Sequence, residues 1–202
     1  MTNHIIFDSC FRLGGNGETL NLPISLRSFG HYVVNKGWKE PYKYKDFVEF
    51  FWGVRGEGLF LIDGHKYVLQ PECVIYYHRA HYHEIEALSD EWEYYWFTFD
   101  GHGAESMLQS FDFPDRTFHV GPAPEGKLLN FFELINNFTP FGARESSLAL
   151  YDILMEIKEP SPANDMPAKH NDLPRAFAEL VKDNYQDENF NVNVAAKILC
   201  VH

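Results

Sequence analysis

The sequence predicts a mainly β fold, an antiparallel barrel or sandwich, with helices confined to its C-terminal part. Between Gly30 and Phe99, short apolar or alternating runs recur between turn signals. After Phe99 the apolar spacing lengthens towards that of a helix. Aromatic residues make up 16% of the 202 residues, with 18 Phe and 11 Tyr. That composition suits pleated surfaces, where flat side chains pack, and equally pockets that stack rings or sugars.

The runs in order are HYVV from His31, DFVEFFWGV from Asp46, GLFLI from Gly58, KYVL from Lys66, CVIYY from Cys73, HYHEIEAL from His81 and EYYWFTF from Glu93. Asp63-Gly64 between two of them supplies the positive φ angles that a tight hairpin needs. Beyond Phe99 the pattern predicts a short helix over 105–111, a last strand over 117–120, and helices over about 126–138 and 145–157. The last carries two apolar stripes: Leu150, Ile153, Leu154 and Ile157 on one, and Leu148, Tyr151 and Met155 on the other. One stripe can pack on the barrel and leave the other for a partner chain; internal core on both sides is the alternative. Residues 159–172 hold three prolines and almost no large apolar side chain, which reads as a linker. Beyond it Leu173, Phe177, Leu180 and Val181 repeat at helical spacing. A further helix is expected after Asn191, a good N-cap, with Val194, Ala195, Ile198 and Leu199 inward.

Bulk properties exclude several classes. A formal net charge of −12 opposes binding to a phosphate backbone. Cys10, Cys73 and Cys200 share no metal-ligand spacing and cannot all pair, so neither a disulfide scaffold nor a zinc ribbon is expected. No apolar stretch is long enough for a membrane helix and the N-terminus lacks the order of a signal peptide, so the expectation is a cytoplasmic protein with no membrane partner. No nucleophile elbow, phosphate loop or dinucleotide fingerprint is present.

Two constellations could carry chemistry. His78-Arg79-Ala80-His81-Tyr82-His83-Glu84-Ile85-Glu86 is dense in metal-ligand types, and on a strand His81 and His83 would face the same way. A metal-dependent barrel enzyme would draw further ligands from an earlier strand, but Lys45 to Trp52 offers only Glu49. His81 and His83 are therefore expected to hydrogen-bond a ligand or the backbone, with no catalytic residue, metal or cofactor. The second constellation is Trp92 to Phe99, where alternation puts Trp92, Tyr94, Trp96 and Thr98 on one face. Inside a barrel this is a flat platform with hydrogen-bonding tips, able to stack a sugar; a plain aromatic core is the alternative. Glu49 is open between an inward hydroxyl acceptor and a solvated side chain.

Val54-Arg55-Gly56-Glu57-Gly58, Asp63-Gly64, Leu69-Gln70-Pro71, His81-Tyr82-His83 and Trp92 to Phe99, in this order, resemble the sensor domain of the AraC family of transcription regulators. Asn184-Tyr185 and 190–202 are similar to the opening of that family's helix-turn-helix domain. The resemblance implies a cupin-like antiparallel β-barrel (jelly roll) followed by a two-helix dimerisation hairpin and a truncated helical fragment. It implies an effector-binding domain over 1–158, a linker over 159–172, and over 173–202 the start of a DNA-binding domain ending before its recognition helix. It implies a sensor and not an enzyme: a sugar-like small molecule enters the barrel, the arm around Thr2 to Leu13 reorders over it, the chain pairs as a homodimer through Leu148, Tyr151 and Met155, and DNA is bound through the full-length protein. A cupin enzyme, a sugar isomerase or metal-dependent dioxygenase, is the alternative. By matched position His83 falls where an arabinose-binding member has a tyrosine, Tyr94 where it has a histidine, and Trp96 where it has a stacking tryptophan; Tyr32 lies near another contact, and Lys43 or Lys45 stands for an arginine. The implied ligand-binding set is Tyr32, Lys45, Glu49, His81, His83, Tyr94 and Trp96. Glu72-Cys73 departs from the family's Gly-Asp after proline, which bears on the geometry of that turn.

Overall fold

The computed structural model describes residues 6–11, 22–158, 177, 180–182, 184 and 190–198. The chain divides into two compact units, Met1–Ser161 and Pro162–His202.

In the first unit the strands are β1 (Ile6–Phe11), β2 (Ser25–Asn35), β3 (Lys39–Tyr44), β4 (Val48–Arg55), β5 (Gly58–Ile62), β6 (His65–Leu69), β7 (Cys73–Tyr77), β8 (Tyr82–Ala87), β9 (Glu91–Asp100) and β10 (Phe118–His119). They form one sheet in the order β1-β2-β9-β4-β7-β10 and another in the order β3-β8-β5-β6. Setting aside the edge strands β1 and β10, this is an eight-stranded jelly roll, two four-stranded antiparallel sheets facing each other. The protein is thus a cupin-like antiparallel β-sandwich with C-terminal helices. α1 (Ala104–Phe111), α2 (Glu125–Asn136) and α3 (Pro140–Lys158) follow the barrel.

The six-stranded sheet is covered on both faces, which explains the near-continuous apolar runs of β4 and β9. Phe51, Tyr94 and Trp96 pack between the sheets with Phe60, Ile75, Tyr77 and Ile85. Their neighbours along the strands, Phe50, Tyr95 and Phe97, join Phe29, Phe131, Leu150, Ile153 and Leu154 beneath the helices. On that outer side Phe50 stacks on Tyr76 and Phe97 at centroid distances of 4.9 and 5.2 Å, while Phe29 meets Phe131 edge-on at 5.6 Å. The expected alternation of β9 holds, and its two faces serve two separate cores.

The Asp63-Gly64 hairpin forms as its sequence requires, with φ of 46° and 85° and Ile62 opposite His65. The chain makes a tight turn at Gln70-Pro71-Glu72-Cys73, where Glu72-Cys73 departs from Gly-Asp. Glu72 takes φ 62°, the Cys73 N–H donates to the Gln70 carbonyl at 3.3 Å, and the Glu72 carbonyl accepts from Val120 and Gly121. A left-handed non-glycine residue costs about 1–2 kcal/mol. That strained turn is the anchor for β10.

Several elements differ from the sequence reading. β1 and β3 fall outside the apolar runs. Pro41 interrupts the apolar pattern of β3, and the β3–β8 register shifts between Glu40 and Lys43, where the proline is accommodated. α3 begins at Pro140, earlier than 145, because Thr139 caps it: its hydroxyl accepts from the Gly142 N–H at 3.1 Å and its carbonyl from Ala143 at 3.0 Å. α2 stops at Asn136, short of 138. Of the two α3 stripes, Leu150, Ile153, Leu154 and Ile157 are buried, whereas Leu148, Tyr151 and Met155 are 59%, 46% and 38% exposed.

In the second unit, residues 177, 180–182 and 184 are helical, and α4 covers Val192–Ile198. Asn191 Oδ1 caps α4, accepting from Asn193 N–H at 3.0 Å and Val194 N–H at 3.2 Å. Ala195 is buried as expected, but Val194 is exposed where an inward side chain was expected. Residues 159–176, which include the expected linker, lie outside the described residues, as do Thr2 to Ile5 and Arg12 to Leu13 of the arm.

Gly58 tests how tightly the sheets close: a Cβ there would overlap the Trp92 ring, while one at Gly126 meets nothing. Gly58→Ala is expected to lower stability by about 1–3 kcal/mol, and Gly126→Ala to leave it unchanged or raise it by about 0.5–1 kcal/mol. Urea unfolding of both variants checks this.

Candidate functional site

A cavity of about 400 Å³ opens between the two sheets. One wall comes from β2 and β9, whose inward residues are Ser28, Tyr32, Tyr94, Trp96 and Thr98; Phe51 and Glu49 of β4 continue it, and Trp38, Lys39, Glu40, Pro41, Lys45 and Phe47 close the other side.

The aromatic wall is assembled edge to face. Tyr32 lies 5.5 Å from Trp96 and 5.7 Å from Tyr94, and 6.4 Å from Trp38, with interplanar angles of 77°, 65° and 84°. Rings in this arrangement hold one another in place and favour each other electrostatically. Gly30, opposite Trp96 in the β2–β9 ladder, leaves room for that indole, since a Cβ would overlap it. Beside the rings, the hydroxyls of Ser28 and Thr98 share a 2.5 Å hydrogen bond.

The polar wall is a chain of ionisable groups. Lys45 Nζ contacts Glu49 Oε2 at 2.5 Å and Glu40 Oε1 at 3.3 Å. Glu49, only 3% exposed, therefore points inward. Tyr77 donates its phenolic proton to Glu49. With that proton committed, the 3.1 Å contact between Tyr77 and His83 Nε2 must run from the imidazole N–H to the phenol oxygen. His83 also stacks on the Tyr77 ring at 4.2 Å.

These contacts set the protonation of the pair. Burial pushes the Glu49 carboxyl up, against the pull of Lys45 and Tyr77. Burial would push the Lys45 ammonium down, but Glu49 and Glu40 outweigh it and hold it above its ordinary value. Tyr77 and Tyr94 are raised well above ordinary phenols, first by burial and then by the nearby carboxylates, so both stay hydrogen-bond donors.

Of the side chains singled out by sequence, Tyr32, Lys45, Glu49, Tyr94 and Trp96 line the cavity together. His83 does not line it; it lies behind Tyr77, fully buried. His81 is elsewhere. It precedes β8 instead of alternating with His83 along it, and its Nδ1 pairs with Asp63 of the β5–β6 turn at 2.6 Å. Trp38 and Glu40 were missed because they sit next to Pro41 in a stretch that carries no strand pattern. Ser28 was missed because it falls before the apolar run of β2. Among the described residues, no three His, Cys, Asp or Glu side chains converge as a metal-binding group. No helix among them is long and apolar enough to cross a membrane.

A jelly roll whose interior is kept partly open and lined by rings, hydroxyls and a buried ion pair defines a small-molecule-binding β-sandwich domain. The chain belongs to the family of AraC-like ligand binding domains, whose pattern matches residues 28–154. No curated protein matches it. Solved structures similar in part include the cupin domain of Cnp3 from Schizosaccharomyces pombe, at 17% identity over 52% of this chain and 71% of that one, TM-score 0.39. A predicted oxalate decarboxylase from Thermotoga maritima is 18% identical over 48% of this chain and 97% of that one, TM-score 0.36. The cupin domain of an XRE family transcriptional regulator from Enterobacter cloacae is 15% identical over 46% and 94%, TM-score 0.36.

Lys45→Met would strand Glu49 as a buried carboxylate, with an expected loss of about 3 kcal/mol at neutral pH. Without Lys45 the folded-state pKa of Glu49 rises further above its unfolded value. Stability of the variant is therefore greatest below the unfolded pKa and falls as pH rises through the folded one. Denaturation of the variant at pH 5 and pH 8 should show it more stable at the lower pH.

Proposed function

We propose that this domain is the sensor of an AraC-type transcription regulator, and that its effector is a small polyhydroxylated molecule, sugar-like in size and polarity, bound in the cavity between the sheets. The observation that carries this is the cavity's two-sided chemistry. Trp96, Tyr94, Tyr32 and Trp38 form a ring-lined wall on which the C–H face of a sugar can stack, and Ser28, Thr98, Glu40, Lys45 and Glu49 face the same space with donors and acceptors for its hydroxyls. The volume of about 400 Å³ suits a ligand of that size. In this reading the domain is not an enzyme: its ionisable groups orient a ligand and need not turn it over. Lys45 and Glu49 act as a fixed dipole, and Tyr77 with His83 holds Glu49 in place.

Regulation then follows from linkage. The effector shifts the regulator only by binding one of its conformations better than the other, and the DNA-binding domains respond to that shift. The exposed stripe of α3, Leu148, Tyr151 and Met155, is where two copies would meet as a homodimer.

Thermal unfolding against a panel of neutral sugars and sugar acids tests the effector. A ligand at about 100 times its dissociation constant stabilises by roughly 2.7 kcal/mol, a rise in Tm of several degrees. The expected result is a selective rise that Trp96→Ala abolishes; a rise of equal size in Trp96→Ala rejects this cavity as the site. For the homodimer, Leu148→Glu with Met155→Glu is expected to convert a dimer to a monomer in light scattering, and a wild-type chain monomeric at about 100 μM would reject the seam.

A further inference from the structure

His78-Arg79-Ala80-His81 belongs to none of the machinery described above. From its geometry we propose a second site, a divalent transition-metal site of the zinc, nickel or copper kind, at the turn between β7 and β8, where His78 and His81 bind one ion through their Nε2 atoms and water completes the coordination.

The first support is the tautomer. His78 Nδ1 lies 3.0 Å from Glu105 Oε2 of α1, and His81 Nδ1 lies 2.6 Å from Asp63 Oδ2 of the β5–β6 hairpin. A carboxylate at Nδ1 accepts the N–H there and leaves the lone pair on Nε2 to face a ligand. This carboxylate–histidine pairing orients imidazoles towards metals. Here it is made twice, from two unrelated elements.

The second support is distance. With a metal–nitrogen bond of about 2.1 Å and about 1.2 Å from ring nitrogen to ring centre, two imidazoles on one ion have centroids at most roughly 6.5 Å apart. The observed separation is 5.8 Å, with the rings tilted by 39°. The third is space. A cavity of about 20 Å³ is lined by His78, His81, Asp115 and Arg116 together with Ile62, Tyr67, Ile75, Tyr76 and Tyr77. One water-sized occupant needs roughly 10–15 Å³. Asp115, on the same cavity, can accept from the ion's water, and the Arg116 cation repels the ion, so the site is of modest affinity.

The chain reverses between the two histidines. Ala80, between the two histidines, takes φ 66°. A non-glycine residue there is strained, and the strain turns the chain so that residues 78 and 81 approach. The Ala80 N–H donates to the Lys45 carbonyl at 3.1 Å, which ties the histidine turn to the residue that bridges Glu40 and Glu49 inside the barrel.

The test is calorimetric titration of the whole chain with Zn²⁺, alongside electron paramagnetic resonance with Cu²⁺, which reads imidazole nitrogens directly. The expected result is one ion per chain in the micromolar range, two nitrogen ligands in the copper spectrum, and affinity at least about tenfold weaker in His78→Gln and in His81→Gln. His65→Gln should leave it unchanged. Asp63→Asn, which removes a positioning carboxylate and no ligand, should weaken binding by roughly 10-fold or more. Mg²⁺, which disfavours imidazole, should not compete. Zn²⁺ binding that survives both histidine substitutions, or no binding at about 1 mM, would overturn the proposal.

Discussion

Almost everything in the first unit depends on β9 being buried on both faces. A strand alternates its side chains, so a central strand between a second sheet and a helical layer must satisfy two different neighbours with one sequence. Trp92, Tyr94, Trp96 and Thr98 go to the inter-sheet space, while Tyr95, Phe97 and Phe99 go to the helices. A register slip by one residue would exchange the sets, placing the Thr98 hydroxyl in a dry aromatic layer and removing the cavity wall. The ladders to β2 and β4 on either side keep this from happening, and glycines at 30 and 58 leave the indoles of Trp96 and Trp92 their space.

The cavity exists because the inner layer is filled unevenly. Near Trp92 the sheets close on Phe60, Ile85 and Leu69. Towards Thr98 the rings give way to Ser28, Glu49 and Lys45, which are too polar to collapse into a dry core and are held apart by their own pairings. Glu49 is a buried charge with both a cation and a phenol on it. Such a group is tolerated inside a sandwich because its partners are supplied from β7 and the β3–β4 turn, and losing Lys45 leaves a charge without compensation. The polar wall therefore depends on β7 and His83, which do not themselves reach the cavity.

The barrel was legible where the sequence carried strong periodicity and where a turn needed particular residues, as at Asp63-Gly64. It was less so where one local signal was overridden. Pro41 broke the pattern of β3, although a shift in register absorbs it, and with β3 went Trp38 and Glu40. The helix expected from 145 starts at Pro140, since the first turn of α3 can take a proline and Thr139 supplies the cap. For the site, alternation along β9 gave Tyr94 and Trp96 correctly as inward, but the same rule failed for His81 because β8 starts one residue later, after the reversal at Ala80. Glu49 was undecidable from sequence: its partner Lys45 is four residues away in a turn, and its second partner, Tyr77, lies on another strand.

The pairing of Lys45 with Glu49 and Glu40 has one more consequence. An oxygen that takes the Lys45 ammonium must compete with two carboxylates that are tethered beside it and never diffuse away. The protein thus carries its own competitor, and the concentration at which the cavity fills is set as much by how firmly that internal pair holds as by how well an incoming molecule fits. Changes in the tether, at Glu40 beside the register shift of β3 for instance, would retune that concentration by loosening or tightening the hold on Lys45.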